Sequence, residues 1–178
     1  EERRERDSIV RFLNYPVRVT YIGRLDKDSH GLLLMTNNGD IINKMMRAAN
    51  KHEKEYKVTV DKEITEDFLK KMAAGVPILD TVTRPCTVKK IGKYTFSIIL
   101  TQGLNRQIRR MCEALGYEVK DLLRVRVMNI TLDGLKDGQY RKLTDQELNE
   151  LYDQLKDSSA LPGGKYQEQW AATQDNRT

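Results

Sequence analysis

Residues 23–31 contain the acidic side chains that are best placed to do chemistry. Asp26 and Asp28 lie there between two apolar segments that predict strands, and a glycine stands at each end. Loops held by a rigid sheet often carry catalytic groups, and flanking glycines let the backbone approach a ligand closely. Loop aspartates also commonly do no more than bind local backbone amides. Spacing alone leaves both interpretations open.

A second candidate is a group of arginines in residues 105–115. Four apolar side chains recur there at helical spacing: Ile108, Met111, Cys112 and Leu115. This stripe predicts an amphipathic helix with Arg106 and Arg110 opposite the apolar face and Arg109 at its margin. Exposed arginines are ordinary on helices, but three so close together would suit phosphate oxygens.

Tyr56 is the third candidate. It belongs to the alternating segment 54–61, where it shares one strand face with Val58 and Val60. Packing in the core is the usual role of such an aromatic residue.

Several other chemistries are disfavoured. The two histidines, His30 and His52, are not at ligand spacing from Cys86 or Cys112, so the sequence predicts no metal site. It also contains neither a P-loop nor a G-x-G-x-x-G fingerprint, which argues against nucleotide-dependent mechanisms.

Composition limits the class of protein further. The 178 residues are 39% hydrophobic and 32% charged, with a net charge of +5 that favours an anionic partner without establishing one. No segment approaches the ~20 apolar residues of a membrane-spanning helix, and residues 1–8 lack the apolar stretch of a signal peptide. We therefore expect a cytoplasmic protein with no membrane association, whose two cysteines stay as thiols.

The order of the predicted elements indicates an α+β fold. Strands, helices and one hairpin alternate along the chain, which favours a mixed, largely antiparallel central sheet flanked by helices. We predict one catalytic domain over residues 9–156. Residues 157–178 have little apolar content and predict a disordered tail.

Taken together, these motifs resemble the three sequential signatures of the RsuA-type RNA pseudouridine synthases. The matching residues are Gly23-Arg24-Leu25-Asp26 with segment 31–37, then Lys54-Glu55-Tyr56, then segment 103–111. The amino-acid sequences of segments 53–56 and 74–78 are similar to those of the RluF branch, the ribosomal large subunit pseudouridine synthases F. The order and separation of the motifs make the combination specific, although each motif alone is weak.

The resemblance implies an enzyme that isomerises uridine in RNA to pseudouridine without a cofactor or metal. Asp26 would be the catalytic carboxylate acting at C1′ of the ribose, Tyr56 would stack on the flipped base, and Arg109 would pair with Asp26. We expect the remaining basic residues of these motifs to contact RNA: Arg24, Lys54, Arg106 and Arg110.

The resemblance also implies the substrate, which we expect to be large-subunit ribosomal RNA, with transfer RNA as an alternative. A catalytically inactive RNA-binding module in ribosome assembly is the competing hypothesis. A carboxylate glycosidase using Asp26 and Asp28 is a third, but a neutral sugar would require neither the arginines nor Tyr56.

Two departures from the family pattern concern the beginning of the chain. Relatives usually start with a small RNA-binding domain and carry a Lys-Pro-x-Gly strand before the catalytic loop, and neither occurs in this sequence. We therefore expect a catalytic domain without its N-terminal RNA-binding domain and first motif strand, and we expect it to be a monomer.

Overall fold

The structure, a computed structural model, describes residues 20–22, 25–47, 51–156 and 169–175. Its four described helices are α1 (Gly39–Arg47), α2 (Glu66–Ala74), α3 (Gln107–Ala114) and α4 (Asp145–Gln154). The described strands are β1 (Thr20–Ile22), β2 (His30–Thr36), β3 (Lys54–Val60), β4 (Pro77–Ile78), β5 (Thr81–Val82), β6 (Thr87–Lys90), β7 (Thr95–Leu100), β8 (Val119–Val127), β9 (Ile130–Thr131), β10 (Tyr140–Lys142) and β11 (Gln169–Asp175). The predicted α+β class with a largely antiparallel sheet is confirmed.

The chain forms two compact units. The first comprises Glu1–Ala48 and Met128–Thr178, and the second comprises Ala49–Val127. The catalytic domain over residues 9–156 stays a prediction.

The second unit is a four-stranded antiparallel sheet in the order β8-β3-β7-β6, covered on one side by helices. Alternate residues of β3 and β7 point to the same side and are buried in one hydrophobic cluster with residues of α2 and α3. Thr65 caps the beginning of helix α2, where its hydroxyl accepts a hydrogen bond from the Phe68 amide, and Gly75 follows the last residue of the helix. This packing fixes the strand and the helix that carry the candidate residues.

In the first unit β2 is the central strand. Each of its seven residues is buried, as the four consecutive apolar residues 32–35 predict for the middle of the strand. Both β1 and β11 pair with β2 antiparallel. Strand β10 pairs with the far edge of β11, and helix α4 begins at a capping box formed by Thr144 and Glu147.

The structure differs from the sequence prediction at three places. Helix α3 begins at Gln107 rather than residue 105, because Arg106 has a left-handed backbone with φ 48°. The sequence predicts an extended segment over residues 123–132, but strand β8 begins earlier, at Val119, and ends at Val127. Within the tail predicted to be disordered, Gln169–Asp175 form β11, because the backbone can pair with the available edge of β2; residues 157–168 and 176–178 lie outside the described part.

None of the helices in the described part of the chain has the length and apolar character needed to span a membrane.

Candidate active site

Asp26 lies in a tight turn at the entrance to β2. The Ser29 amide donates a hydrogen bond to the Asp26 carbonyl at 3.0 Å, which closes the turn, and the buried Leu25 anchors the residue before it. Asp26 is half-buried, whereas Asp28 is exposed. Of the two loop carboxylates, Asp26 is thus the one that is partly shielded from solvent.

The two residues after the turn are buried polar groups. Ser29 is 3% exposed, and His30, at 7%, places its Nδ1 3.5 Å from a carboxylate oxygen of Asp137. His30 therefore takes part in a contact between the start of β2 and a surface turn of the same unit.

Tyr56 occupies the middle of the second unit's sheet. Its neighbours in register are Ile98 on β7 and Arg124 on β8, and its half-buried ring packs against the hydrophobic cluster beneath the helices. The core-packing interpretation of Tyr56 is therefore confirmed in part. Partial exposure leaves part of the side chain accessible to a ligand.

Helix α3 presents Arg109 beside the core. Ile108, Met111 and Cys112 are buried as the stripe predicts, and Arg109 is half-buried at its margin. Burial raises the pKa of the Cys112 thiol to about 12, and the positive charge of Arg109 opposes this rise in part. The charge of Arg109 is thus close to the apolar face, and Cys112 remains a neutral thiol at physiological pH.

The other two arginines have different environments. Arg106 is the half-buried residue that precedes α3 and does not belong to the helix. Arg110 folds back on Asn105, donating from Nε to the backbone carbonyl at 3.0 Å and from Nη2 to Oδ1 at 2.9 Å. The three arginines therefore do not form one helical face.

Two glutamines that sequence reasoning missed hold the loop before α3. Gln107 is 5% exposed; its Oε1 accepts from the Leu104 amide at 3.1 Å, and its Nε2 lies 3.4 Å from Gln102 Oε1. The same oxygen of Gln102 accepts from the Arg84 amide at 3.1 Å. The only sequence feature that could have indicated this role is the polar Gln107 next to the apolar residues of the helix.

The predicted residues are distributed over both units. Asp26 belongs to the first, and Lys54, Tyr56, Arg106, Arg109 and Arg110 belong to the second. Lys54 and Tyr56 lie two residues apart on the same side of β3. Pairing between Asp26 and Arg109 stays a prediction, and Arg24 lies outside the described residues.

Comparison with known proteins identifies the family. A family model described as RNA pseudouridylate synthase matches residues 1–114. The dual-specificity RNA pseudouridine synthase RluF of Escherichia coli (strain K12) is 60% identical over 156 residues, which are 88% of this chain and 54% of that protein. Ribosomal large subunit pseudouridine synthase B of Bacillus subtilis (strain 168) is 39% identical, over 79% of this chain and 60% of its own length.

A solved structure agrees with these sequence matches. The crystal structure of a pseudouridylate synthase superposes with a TM-score of 0.74 at 30% identity, covering 80% of this chain and 64% of the other. The chain spans about half the length of its RluF relatives, 54% of the E. coli protein. The resemblance seen in the motifs is confirmed: this chain belongs to the RNA pseudouridylate synthase family, in its RsuA-type RluF branch.

Proposed function

We propose that this chain converts a uridine of RNA to pseudouridine, with Asp26 as the catalytic carboxylate. The observation that carries the proposal is the match to the family model over residues 1–114, a segment that contains Asp26, Tyr56 and Arg109. The half-buried position of Asp26 in a closed turn supports it further, since a catalytic group must be held in a fixed geometry.

The reaction is an internal rearrangement and needs no oxidant, reductant or second substrate. In the proposed sequence the Asp26 carboxylate forms a bond to C1′ as the bond from C1′ to N1 breaks and its electron pair leaves with the uracil. The uracil turns so that C5 attacks C1′ and releases the carboxylate. C5 then gives up its proton to a base and N1 gains one, so the product has the composition of the substrate.

Tyr56 and Arg109 are proposed to support these steps. A base inside folded RNA must leave its stack, which costs a few kcal/mol, and stacking on an aromatic ring recovers about 1–3 kcal/mol. The exposed part of the Tyr56 ring is proposed to provide this platform. A guanidinium near Asp26 would keep that carboxylate ionised, and Arg109 is proposed for this role because it cannot lose its own charge near neutral pH.

We propose large-subunit ribosomal RNA as the main substrate and transfer RNA as a second one. The B. subtilis relative is named for the large ribosomal subunit, and the E. coli relative is named as having dual specificity. Arg24, Lys54, Arg106 and Arg110 are proposed to contact the RNA backbone. We further propose that the chain acts as a cytoplasmic monomer.

Tritium release tests the proposal directly. Transcripts of large-subunit ribosomal RNA and of transfer RNA are made with uridine tritiated at C5 and incubated with the chain. Release from ribosomal RNA supports the proposal, and release from both transcripts supports dual specificity. RNA binding without release from either transcript would favour the inactive-module hypothesis instead.

A further inference from the structure

A second turn of the first unit, residues 136–139, contacts the start of β2. The Gln139 amide donates to the Lys136 carbonyl at 2.9 Å, and the Lys136 amide donates to Gln139 Oε1 at 2.9 Å, so two hydrogen bonds close this turn. Gly138 has φ 84°, a left-handed conformation that glycine adopts readily in tight turns. Asp137 is therefore presented from a closed turn rather than from a free loop.

The side chain of Asp137 reaches His30, the first residue of β2. A carboxylate oxygen of Asp137 lies 3.5 Å from Nδ1 of His30, which is within the range of an ion pair. A hydrogen on Nδ1, present in the cation and in one neutral tautomer, directs the ring toward the carboxylate. Ion pairs exposed on both sides contribute little, but here the imidazole is only 9% exposed against 40% for the carboxylate, so water screens the attraction less.

His30 is connected in turn to the backbone of Asp26. It directly follows Ser29, whose amide donates to the Asp26 carbonyl at 3.0 Å. The described pairing of β2 with β11 ends at His30, so residues 25–29 lie beyond that ladder. A continuous chain of contacts therefore runs from the Asp137 carboxylate to the Asp26 carbonyl, and all of it lies within the first unit.

We propose that Asp137 and His30 are positioning residues, which hold the turn of Asp26 in the geometry that the reaction requires. The inference rests on the proposed function, because it takes Asp26 as the catalytic carboxylate. Neither positioning residue acts on the substrate itself. A reacting group displaced by about 1 Å can lose on the order of 100-fold in rate, so a small loosening of the turn should lower turnover. The affinity for RNA, which the proposed function assigns to other residues, should not change.

Removing the charge of Asp137 tests the proposal. The single-turnover rate of tritium release at saturating large-subunit ribosomal RNA, the affinity for that RNA and Tm are measured for the parent, Asp137→Asn and Asp137→Glu. We expect Asp137→Asn to lower the rate on the order of tenfold, a smaller loss than a full 1 Å displacement would cause, while affinity and Tm stay near parental values. Asp137→Glu keeps the charge and should recover most of the rate. A merely structural contact would instead lower Tm and leave the rate of the folded protein unchanged.

Asp133→Asn is the matched control. Asp133 is an exposed aspartate of the preceding turn, residues 132–135, so its replacement removes the same charge from the neighbouring surface. Its backbone is left-handed, with φ 37°, and asparagine is among the residues that tolerate this conformation best. This variant should release tritium at the parental rate.

A double-mutant cycle tests whether Asp137 acts through His30. His30→Leu removes the polar ring and should also lower the rate, and the variant that combines it with Asp137→Asn should be no slower than the slower single variant. Losses that multiply would overturn the inference, as would a parental rate for Asp137→Asn or an equal loss in Asp133→Asn. If His30→Leu fails to fold, the comparison of Asp137→Asn with Asp137→Glu decides. Failure of the proposed function differs from all of these outcomes, because it is absence of tritium release by the parent.

Discussion

The side-chain oxygen of Gln102 links Gln107 of helix α3 to the backbone of Arg84. Gln107 Nε2 lies 3.4 Å from this oxygen, and the Arg84 amide donates to it at 3.1 Å. The loop that leads into α3 is therefore fixed from both sides by side-chain amides. Arg109 follows Gln107 by two residues on the same helix.

Removal of the Gln107 side chain should destabilise the second unit. Gln107→Ala leaves the Leu104 amide without its acceptor, which we expect to lower the free energy of unfolding by about 1–3 kcal/mol in urea titrations. Gln146→Ala is the control, because Gln146 is an exposed residue of α4 and should cost less than about 0.5 kcal/mol. Equal values for the two variants would mean that the amide network contributes nothing.

Much of this helix could be predicted from the sequence, because the burial of Ile108, Met111 and Cys112 follows from their spacing. Its beginning could not, since Arg106 has a left-handed backbone, a conformation that a residue other than glycine rarely adopts. The same limit applies to β8, where the bulge at Val125 changes which side each residue faces and cannot be read from alternation. The two-residue strands β4 and β5 are too short for their residues to show an alternating pattern.

At the candidate site, the family motifs select Asp26 over Asp28, and this choice stays a prediction. The structure adds only that Asp26 is half-buried and Asp28 is exposed.

The hydroxyl group of Tyr56 can be tested separately from its ring. Tyr56→Phe keeps the stacking surface and should bind RNA like the parent, while turnover falls if the hydroxyl takes part in removal of the C5 proton. Tyr56→Ala removes the platform and should weaken binding by about 1–3 kcal/mol as well. Filter binding and single-turnover tritium release measure the two effects. If Tyr56→Phe turns over at the parental rate, the hydroxyl group has no chemical role and Tyr56 acts only by stacking.

Arg109 should differ from the neighbouring Arg110 in the effect of losing its charge. Arg109→Met should lower the single-turnover rate severely at saturating RNA, and Arg109→Lys should lower it less, because a charge remains for Asp26. Arg110→Met should weaken RNA binding with little change in that rate. The same loss of rate at both positions would contradict a special role for Arg109.

Stability at acid pH should depend on the ion pair of Arg141 and Glu147. Both guanidinium Nη atoms donate to the carboxylate at 2.8 Å, and this hydrogen bonding lowers the pKa of Glu147 from 4.5 to about 2. The folded state thus favours the charged form. The stabilisation is complete above the ordinary pKa and is lost as pH falls toward the folded one. Between pH 4.5 and about 2, Tm should fall more steeply for the parent than for Glu147→Gln; parallel curves would contradict this.

The most direct test of the account is tritium release from C5-labelled large-subunit ribosomal RNA by the parent, Asp26→Asn and Asp28→Asn. An amide matches the shape of the carboxylate but can act neither as nucleophile nor as base, so Asp26→Asn should abolish turnover while RNA affinity and Tm stay near parental values. Asp28 is exposed, and its replacement should cost little. Substantial release by Asp26→Asn, or a larger loss in Asp28→Asn, would contradict the assignment of Asp26 as the catalytic carboxylate.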